Sequence, residues 1–259
     1  MAANVETAAG MLFDAQKHGR SCEPVRSLLE GHIDAAYQVQ TRNFHRRLDE
    51  GHKLVGRKIG LTTLTAQKAF NADAPDQGFL LSDMMYASGA CIPWQGFIEP
   101  LAEVELAFRM AATVESLPSF EEFPSLLAEI SLAVEIVDSR IAGWNIDLTD
   151  MIADNGAAGA FVIGDFMLTE AVRSSGLNGS VFCQIGQNRS EQVLTEKAID
   201  EGAEAAYWLA GKAIELGVPL KKGEIILSGS LMPPVKIRRG ASVRTGIERL
   251  GSLDFTLGR

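Results

Sequence analysis

The stretch LAEVELAF, residues 101–108, sets Glu103 and Glu105 two positions apart in an otherwise apolar run. Extended backbone alternates its side chains between two faces, so positions i and i+2 share one. Two carboxylates side by side do not both ionise cheaply unless the face is wet or a cation lies between them. A third acid, Glu135, stands in AVEIVDSR, flanked by Val134 and Ile136, with Asp138 close behind. An acid embedded in an apolar strand is rarely buried without a partner. Two such strands with inward carboxylates could supply three oxygen ligands from one side. That suits a hard cation such as Mg2+ or Mn2+, which keeps positions open for water or substrate oxygens. Zinc fits less well, because His18, His32, His45 and His52 all fall in the first 52 residues. On spacing alone a solvated strand face accounts for the same acids and is the commoner case.

Lys58, in GRKIGLT (56–62), is the second candidate. A desolvated lysine near a metal would have a lowered pKa and could act as acid or base; an exposed strand lysine is the plainer reading. The segment is no P-loop, because G-x-x-x-x-G-K-[ST] spacing is lacking. DAPDQGFLLSDM offers Asp73, Asp76 and Asp83, with Pro75 fixing the backbone just before Asp76. Such a turn can present a carboxylate into a site, or merely cap itself. ADNGAAGAF (153–161) puts small residues behind Asp154 and Asn155, where backbone could approach a ligand closely. SGSLMPPV (228–235) carries two serines, but no nucleophile-elbow order and no histidine after residue 52 to serve as a base.

The elements that must hold these residues divide at about residue 52. NVETAAGMLFDAQKHG and HIDAAYQVQTRNFHRRLDEG have apolar residues at helical spacing and stop at Gly19 and Gly51, joined by a connector containing Pro24. From residue 53 strand patterns dominate: KLVGRKIGL, FLLSDMMY, LAEVELAFRM, SLAVEIVDSRI, AFVIGD, GEIILSGSLMPPVKI, ASVRTGIERLG and SLDFTL, with SVFCQIGQNRSEQVL as a hairpin. TTLTAQKAFNA, SFEEFPSLLAEI (119–130) and EGAEAAYWLAGKAIELG are expected to be helices, the last stopping at Gly217. Few strands are joined by helices long enough for βαβ units. The expectation is one α+β domain over 1–259, a helical part at 1–52 on a large β-rich body at 53–259.

Composition is that of a globular protein, with 46% hydrophobic and 22% charged residues among 259. The net charge of −9 argues against a nucleic-acid surface. Cys22, Cys91 and Cys183 form no C-x-x-C and are odd in number, so a reducing cytoplasm is expected rather than a disulfide framework. The opening residues lack a secretory pattern, and no run approaches the ~18 apolar residues of a membrane span.

Taken in order, GRKIGLT, PDQGFLLSDM, EPLAEVELAF, AVEIVDSRI, ADNGAAGAFVIG, GEIILSGSL and RLGSLDFTL resemble the hydratase/decarboxylase family of aromatic meta-cleavage pathways. That family groups 2-keto-4-pentenoate and 2-oxohepta-3-ene-1,7-dioate hydratases with 4-oxalocrotonate decarboxylases, inside the fumarylacetoacetase superfamily. The matching segments run from about residue 34 to the C-terminal end. The resemblance implies a mixed β-sheet or β-roll body of the fumarylacetoacetase C-terminal type and a divalent cation, Mg2+ or Mn2+, held by Glu103, Glu105 and Glu135. It implies proton transfer by Lys58 and Asp76, with Asp76 setting the charge state of Lys58. The expected substrate is a small 2-hydroxy-2,4-dienoate or 2-oxo acid, hydrated to a 4-hydroxy-2-oxo acid. A 4-oxalocrotonate-type decarboxylation, or a non-catalytic partner subunit, are the alternatives. A homo-oligomer is expected, with a related hydratase or decarboxylase subunit as a possible partner. One departure stands out: family members often carry a GHPL-like segment before the WLA helix, where this chain has IDEGAEAAYWLA. The basic KIRRG (236–240) could meet a second substrate carboxylate or be a solvated strand end.

Overall fold

The computed structural model describes residues 2–258 apart from Asn178. Three helices open the chain: α1 (Ala2–His18), α2 (Arg26–Leu29) and α3 (Ile33–Asp49). β1 (Leu54–Gly60) and β2 (Asp76–Leu81) flank the short α4 (Leu64–Ala69), and β3 (Met85–Ala87) and β4 (Cys91–Ile92) lead into two long strands, β5 (Leu101–Met110) and β6 (Leu127–Val137). α5 (Leu148–Ala153), β7 (Ala158–Ile163), β8 (Met167–Leu168) and α6 (Thr169–Ser175) precede the hairpin of β9 (Gly179–Ile185) and β10 (Asn188–Leu194). α7 (Ala198–Glu215) returns the chain to β11 (Ile225–Ser230), followed by β12 (Val235–Lys236), β13 (Ser242–Ile247) and β14 (Gly251–Leu257).

The described strands form two sheets. The larger has nine, ordered β2-β1-β11-β5-β6-β7-β3, with β12 added to β5 and β8 to β6. The smaller has five, ordered β10-β9-β13-β14-β4. This is the mixed α+β architecture read from the sequence, helical first and β-rich after.

Alternation along β5 and β6 decides which residues face which layer. Val104, Leu106 and Phe108 of β5, with Leu132, Val134 and Ile136 of β6, enter the main core, shared with α7 and the smaller sheet. Ala107 and Ala133 point to the other face, against Phe79, Phe161 and Phe44 of α3. Both faces are therefore covered, and any charged side chain on the second face is dry unless the cover is incomplete. Phe44 stacks on Phe79 with ring centroids 4.0 Å apart, fastening α3 to β2. Burial of one such ring is worth roughly 1.5–3 kcal/mol.

The helix expected over 119–130 does not form. Only Phe123–Leu126 makes a single 3-10 turn, and from Leu127 the chain is already β6. Ile130, Leu132 and Val134 alternate into the core, and Leu127 joins them beyond a register shift, as β6 pairs with β5 from Leu101 to Met110. That long ladder overrides the local helix preference of the segment.

Candidate metal centre and substrate cavity

The β5–β6 register sets Glu103 opposite Glu135 and Glu105 opposite Ala133. All three acids thus share the face away from Val104 and Val134. One carboxylate oxygen of each lies within 4.8 Å of those of the other two. Glu105 and Glu135 are completely buried, and Glu103 is half-buried. The Gly229 amide donates to Glu105 Oε2 at 2.8 Å. Glu105 Oε1 and both oxygens of Glu135 have no hydrogen-bond partner among the described residues.

Three buried carboxyls with idle oxygens are an expensive arrangement. Burial is the largest cause that raises each of their pKa values, Glu135 to about 8, and neighbouring acids raise them further. A divalent cation would take up the idle oxygens and offset the like charge in one step. The donor set, all oxygen and open on the Glu103 side, fits a hard cation such as Mg2+ or Mn2+.

Lys58 lies on β1, paired with Gly78 of β2 and Leu227 of β11, and is only 3% exposed. Its Nζ stands 3.6 Å from Glu135 Oε2. Burial alone would depress its pKa, but Glu135, Asp76, Glu103 and Glu105 outweigh that and hold it above the ordinary lysine value. Asp76 opens β2 opposite Gly60 and is completely buried. Burial raises its pKa, while Lys58 pulls it down. A Cβ on Gly60 would sit 2.0 Å from Asp76 Oδ1 and 3.2 Å from Lys58 Nζ, so only glycine lets the two groups meet there.

Backbone devices hold this array. Gly229 has φ +96°, and a Cβ on it would lie 2.6 Å from Thr62 Oγ1. Leu61, next to the site, takes φ +55°, a strained setting for a non-glycine residue. Asn155 clamps β2 by accepting the Phe79 amide at 2.7 Å and donating to the Phe79 carbonyl at 2.9 Å. Buried Gln40 of α3 donates to the carbonyls of Gln77, at 2.8 Å, and Ile152, at 2.9 Å, tying the helical part to the strand that carries Asp76.

The remaining acids singled out by type do other work. Asp138 accepts the amides of Ile98 and Glu99, each at 2.7 Å. Asp154 pairs with buried Arg140, whose Nε lies 2.5 Å from Asp154 Oδ1. Asp83 meets Arg47 and His52 at the surface, and Asp73 is exposed. Ser230 Oγ donates to the Met232 carbonyl at 2.6 Å, as a turn hydroxyl would. Lys236, Arg238 and Arg239 are exposed and line none of the cavity described next, so KIRRG is a solvated strand end. Sequence reasoning did not find Gln40, Arg140 or Gly229. Only Gly229 carried a signal, as the glycine of SGS.

A cavity of about 730 Å³ opens onto Lys58, Asp76 and Glu103. Phe70 beyond α4, Trp144 after β6 and Met151 of α5 form part of its wall, with Met232 from the loop after β11. No described residue of α7 lines it, so the segment that departs from GHPL lies away from this wall. Among the described residues, no helix is long and apolar enough to cross a membrane.

Comparison with known proteins finds relatives over nearly the whole chain. The chain is 34% identical over 253 residues to the 2-keto-4-pentenoate hydratase of Paraburkholderia xenovorans (strain LB400), covering 96% of this chain and 93% of that protein. It is 33% identical over 262 residues to the 2-hydroxyhexa-2,4-dienoate hydratase of Comamonas testosteroni, covering 97% of each. Its fold matches 4-oxalocrotonate decarboxylase from Pseudomonas putida G7, complexed with magnesium and adipate, at a TM-score of 0.90 and 22% identity, covering 99% of this chain and 98% of that one. Residues 40–257 match the model of the fumarylacetoacetate (FAA) hydrolase C-terminal family. With its β-rich body, its convergent carboxylates and this match over most of its length, the chain belongs to that family.

Proposed function

We propose that this protein is a divalent-metal-dependent hydro-lyase. It adds water to a 2-hydroxy-2,4-dienoate and gives a 4-hydroxy-2-oxo acid, within the catabolism of aromatic compounds. The observation that carries the reading is the meeting of Glu103, Glu105 and Glu135 beside Lys58, with Lys58, Asp76 and Glu103 lining one cavity. Hydratases at 33–34% identity over nearly the whole chain support the choice of reaction.

Glu103, Glu105 and Glu135 are the residues we assign to the cation. When bound, that cation supplies Lewis-acid stabilisation of negative charge on a 2-oxo acid. The protein's own residues supply proton handling. In the first half, the C2 hydroxyl loses its proton and C5 gains one, giving a 2-oxo-3-enoate. In the second, hydroxide from water joins C4 and the water's other proton joins C3, so one water is consumed in all. Lys58, held as ammonium by its surrounding acids, is placed to donate a proton and take it back. Asp76, buried and touching the same pocket, keeps that charge state and is the second proton carrier. Phe70, Trp144 and Met151 limit bulk water at the cavity wall.

Assembly into a homo-oligomer, with a related decarboxylase or hydratase subunit as a further partner, belongs to the same proposal. Exposed Met85, Met167 and Leu168 support it as apolar surface that a second copy would cover. Size-exclusion chromatography with light scattering tests it. A cytoplasmic location is supported by three cysteines that are all free.

The experiment is to incubate the purified protein, with and without Mg2+ or Mn2+, with freshly generated 2-hydroxypenta-2,4-dienoate and with 2-oxohex-3-enedioate. Loss of dienol absorbance and release of CO2 are followed in parallel. Metal-dependent loss without CO2 is the expected result. CO2 released from the dioate in preference would make the protein the decarboxylase instead.

A further inference from the structure

The turn that follows α5 winds left-handed. Asn155, Gly156 and Ala157 take φ of +57°, +59° and +58°, three successive residues in that region. L-residues visit it singly, as glycine or asparagine, and do not string it into helix. Ala157 has neither exemption, so the turn persists only because its surroundings over-determine it. The Asp138 amide donates to the Ala157 carbonyl at 2.8 Å, and the Ala157 amide donates to the Asp154 carbonyl at 3.0 Å. Buried Arg140 grips Asp154 through both its carboxylate and its carbonyl.

The Asn155 side chain fastens this turn to β2. β2 ends the larger sheet, so one row of its amides and carbonyls has no strand to pair with. At Phe79 the Asn155 carboxamide takes the place of that strand: Oδ1 accepts the amide at 2.7 Å, and Nδ2 donates to the carbonyl at 2.9 Å. Backbone is thereby pressed onto the proton-carrying pair. A Cβ on Gly78 would lie 2.4 Å from the Asn155 carbonyl oxygen and 3.0 Å from Lys58 Cγ. A Cβ on Gly156 would lie 3.2 Å from Lys58 Cδ, 3.4 Å from its Nζ and 3.2 Å from Asp76 Oδ2. The Lys58 stem therefore runs between β2 and the turn, with bare backbone against it on both sides. A lysine stem is flexible, and its ammonium keeps one place only where the stem is confined.

We propose that Asn155 is a positioning residue for proton transfer: its clamp on Phe79 holds the left-handed turn against Lys58, and the turn fixes where the Lys58 ammonium stands beside Asp76 and Glu135. The proposal rests on the hydratase reading above and deepens it. Among the described residues, the Asn155 side chain hydrogen-bonds to Phe79 alone, and it does not line the substrate cavity, whereas Gly156 and Ala157 do. Asn155 thus acts through Lys58 and not on the substrate. Its loss should slow turnover and leave both cation and substrate binding as they were.

The test uses the full-length protein loaded with Mn2+ and 2-hydroxypenta-2,4-dienoate as substrate. Asn155→Gly keeps the left-handed backbone free of steric cost and removes only the clamp. Its kcat should fall by about 100-fold, the scale of a 1 Å misplacement, with KM and the Mn2+ dissociation constant unchanged. Gly156→Ala leaves the clamp and sets a Cβ against the Lys58 stem, so its kcat should fall as well. Phe44→Leu is the control: it loosens β2 from the α3 side, through the ring stacked on Phe79, without touching the turn. With a melting temperature lowered at least as far as that of Asn155→Gly, it should keep most of the parent kcat. Full turnover in Asn155→Gly, a loss that follows weaker Mn2+ binding, or an equal loss in Phe44→Leu would each overturn the proposal. Crystal structures of the Mn2+-loaded parent and Asn155→Gly need no turnover. A Lys58 ammonium displaced or spread over several rotamers in the variant supports the proposal, and an unmoved one overturns it. A parent protein that binds Mn2+ and turns over no dienoate would remove the hydratase reading, and the two crystal structures would then decide the role of Asn155 alone.

Discussion

Glu103 and Glu135 face each other directly across the β5–β6 ladder, on the side of the sheet that also holds Glu105 and meets Lys58. Like charges placed opposite one another across a strand pair destabilise a sheet. Glu105 completes the triangle from the next position on the same face. Removing one acid should therefore separate stability from function. Glu135→Gln is expected to leave the melting temperature of the metal-free protein unchanged or higher, while turnover falls by at least ~100-fold. It should also abolish the stabilisation by Mn2+, which for a one-site ligand at 100 times its Kd is about 2.7 kcal/mol. Thermal melts with and without Mn2+ check this. A metal-dependent shift as large as that of the parent protein would take Glu135 out of the ligand set.

The pH response has a definite sign. Burial raises the pKa of each of the three carboxyls, that of Glu135 from 4.5 to about 8. Between those values the folded chain binds more protons than the unfolded one, so its stability grows as pH falls from about 8 towards 4.5. A divalent cation must displace the same protons, and its affinity moves the opposite way, weakening as pH falls. Urea midpoints in chelator at pH 8 and pH 5.5, compared between the parent protein and Glu135→Gln, isolate the first effect. Mn2+ titrations at the two pH values measure the second. Parallel rather than opposed slopes would contradict the assignment.

Lys58 tests the division of labour between charge balance and proton transfer. Lys58→Met removes the ammonium that stands 3.6 Å from Glu135. Loss of one positioned acid–base group lowers kcat by about 100- to 10,000-fold. The metal carboxylates remain, so Mn2+ should still raise the melting temperature. If kcat survives with metal binding intact, Lys58 is a structural counter-ion and the proton carrier lies elsewhere.

Much of this site was legible because a strand repeats every two residues. That Glu103 and Glu105 share one face of a strand can be read from LAEVELAF alone, but not that the face is inward, since a solvated strand face has the same spacing. Their cross-strand register cannot, because pairing is decided by packing over the whole ladder. The same long-range pairing is what turns 127–130 into strand where local pattern suggests helix. Residue type misleads at Asp138 and Asp154, whose oxygens satisfy amides and Arg140 instead of a cation. Gln40 is invisible from the sequence: its partner Gln77 lies 37 positions away, and no periodicity links an α3 amide to a β2 carbonyl. The surroundings of Lys58 are hidden for a related reason. Burial can be guessed from the apolar neighbours of GRKIG, but not the number of acids that the fold gathers around it.

Gly229 offers a change that leaves every catalytic functional group in place. Its amide donates to Glu105 Oε2, and alanine keeps that amide. The new Cβ, however, would lie 2.6 Å from Thr62 Oγ1 and 2.7 Å from Thr62 Cγ2, at a φ of +96°. A strained backbone setting of this kind costs on the order of 1–3 kcal/mol. Gly229→Ala should thus lower stability by that amount and displace the Glu105 carboxylate, weakening Mn2+ binding several-fold without changing any charge. Thr62→Ala removes the colliding atoms but not the backbone strain. The double variant should recover part of the metal affinity and little of the stability, a non-additive result for neighbours in contact. Calorimetric Mn2+ titration and urea unfolding of the four proteins in this cycle separate the two contributions. Full additivity in metal affinity would show that Thr62 does not crowd the backbone that holds Glu105.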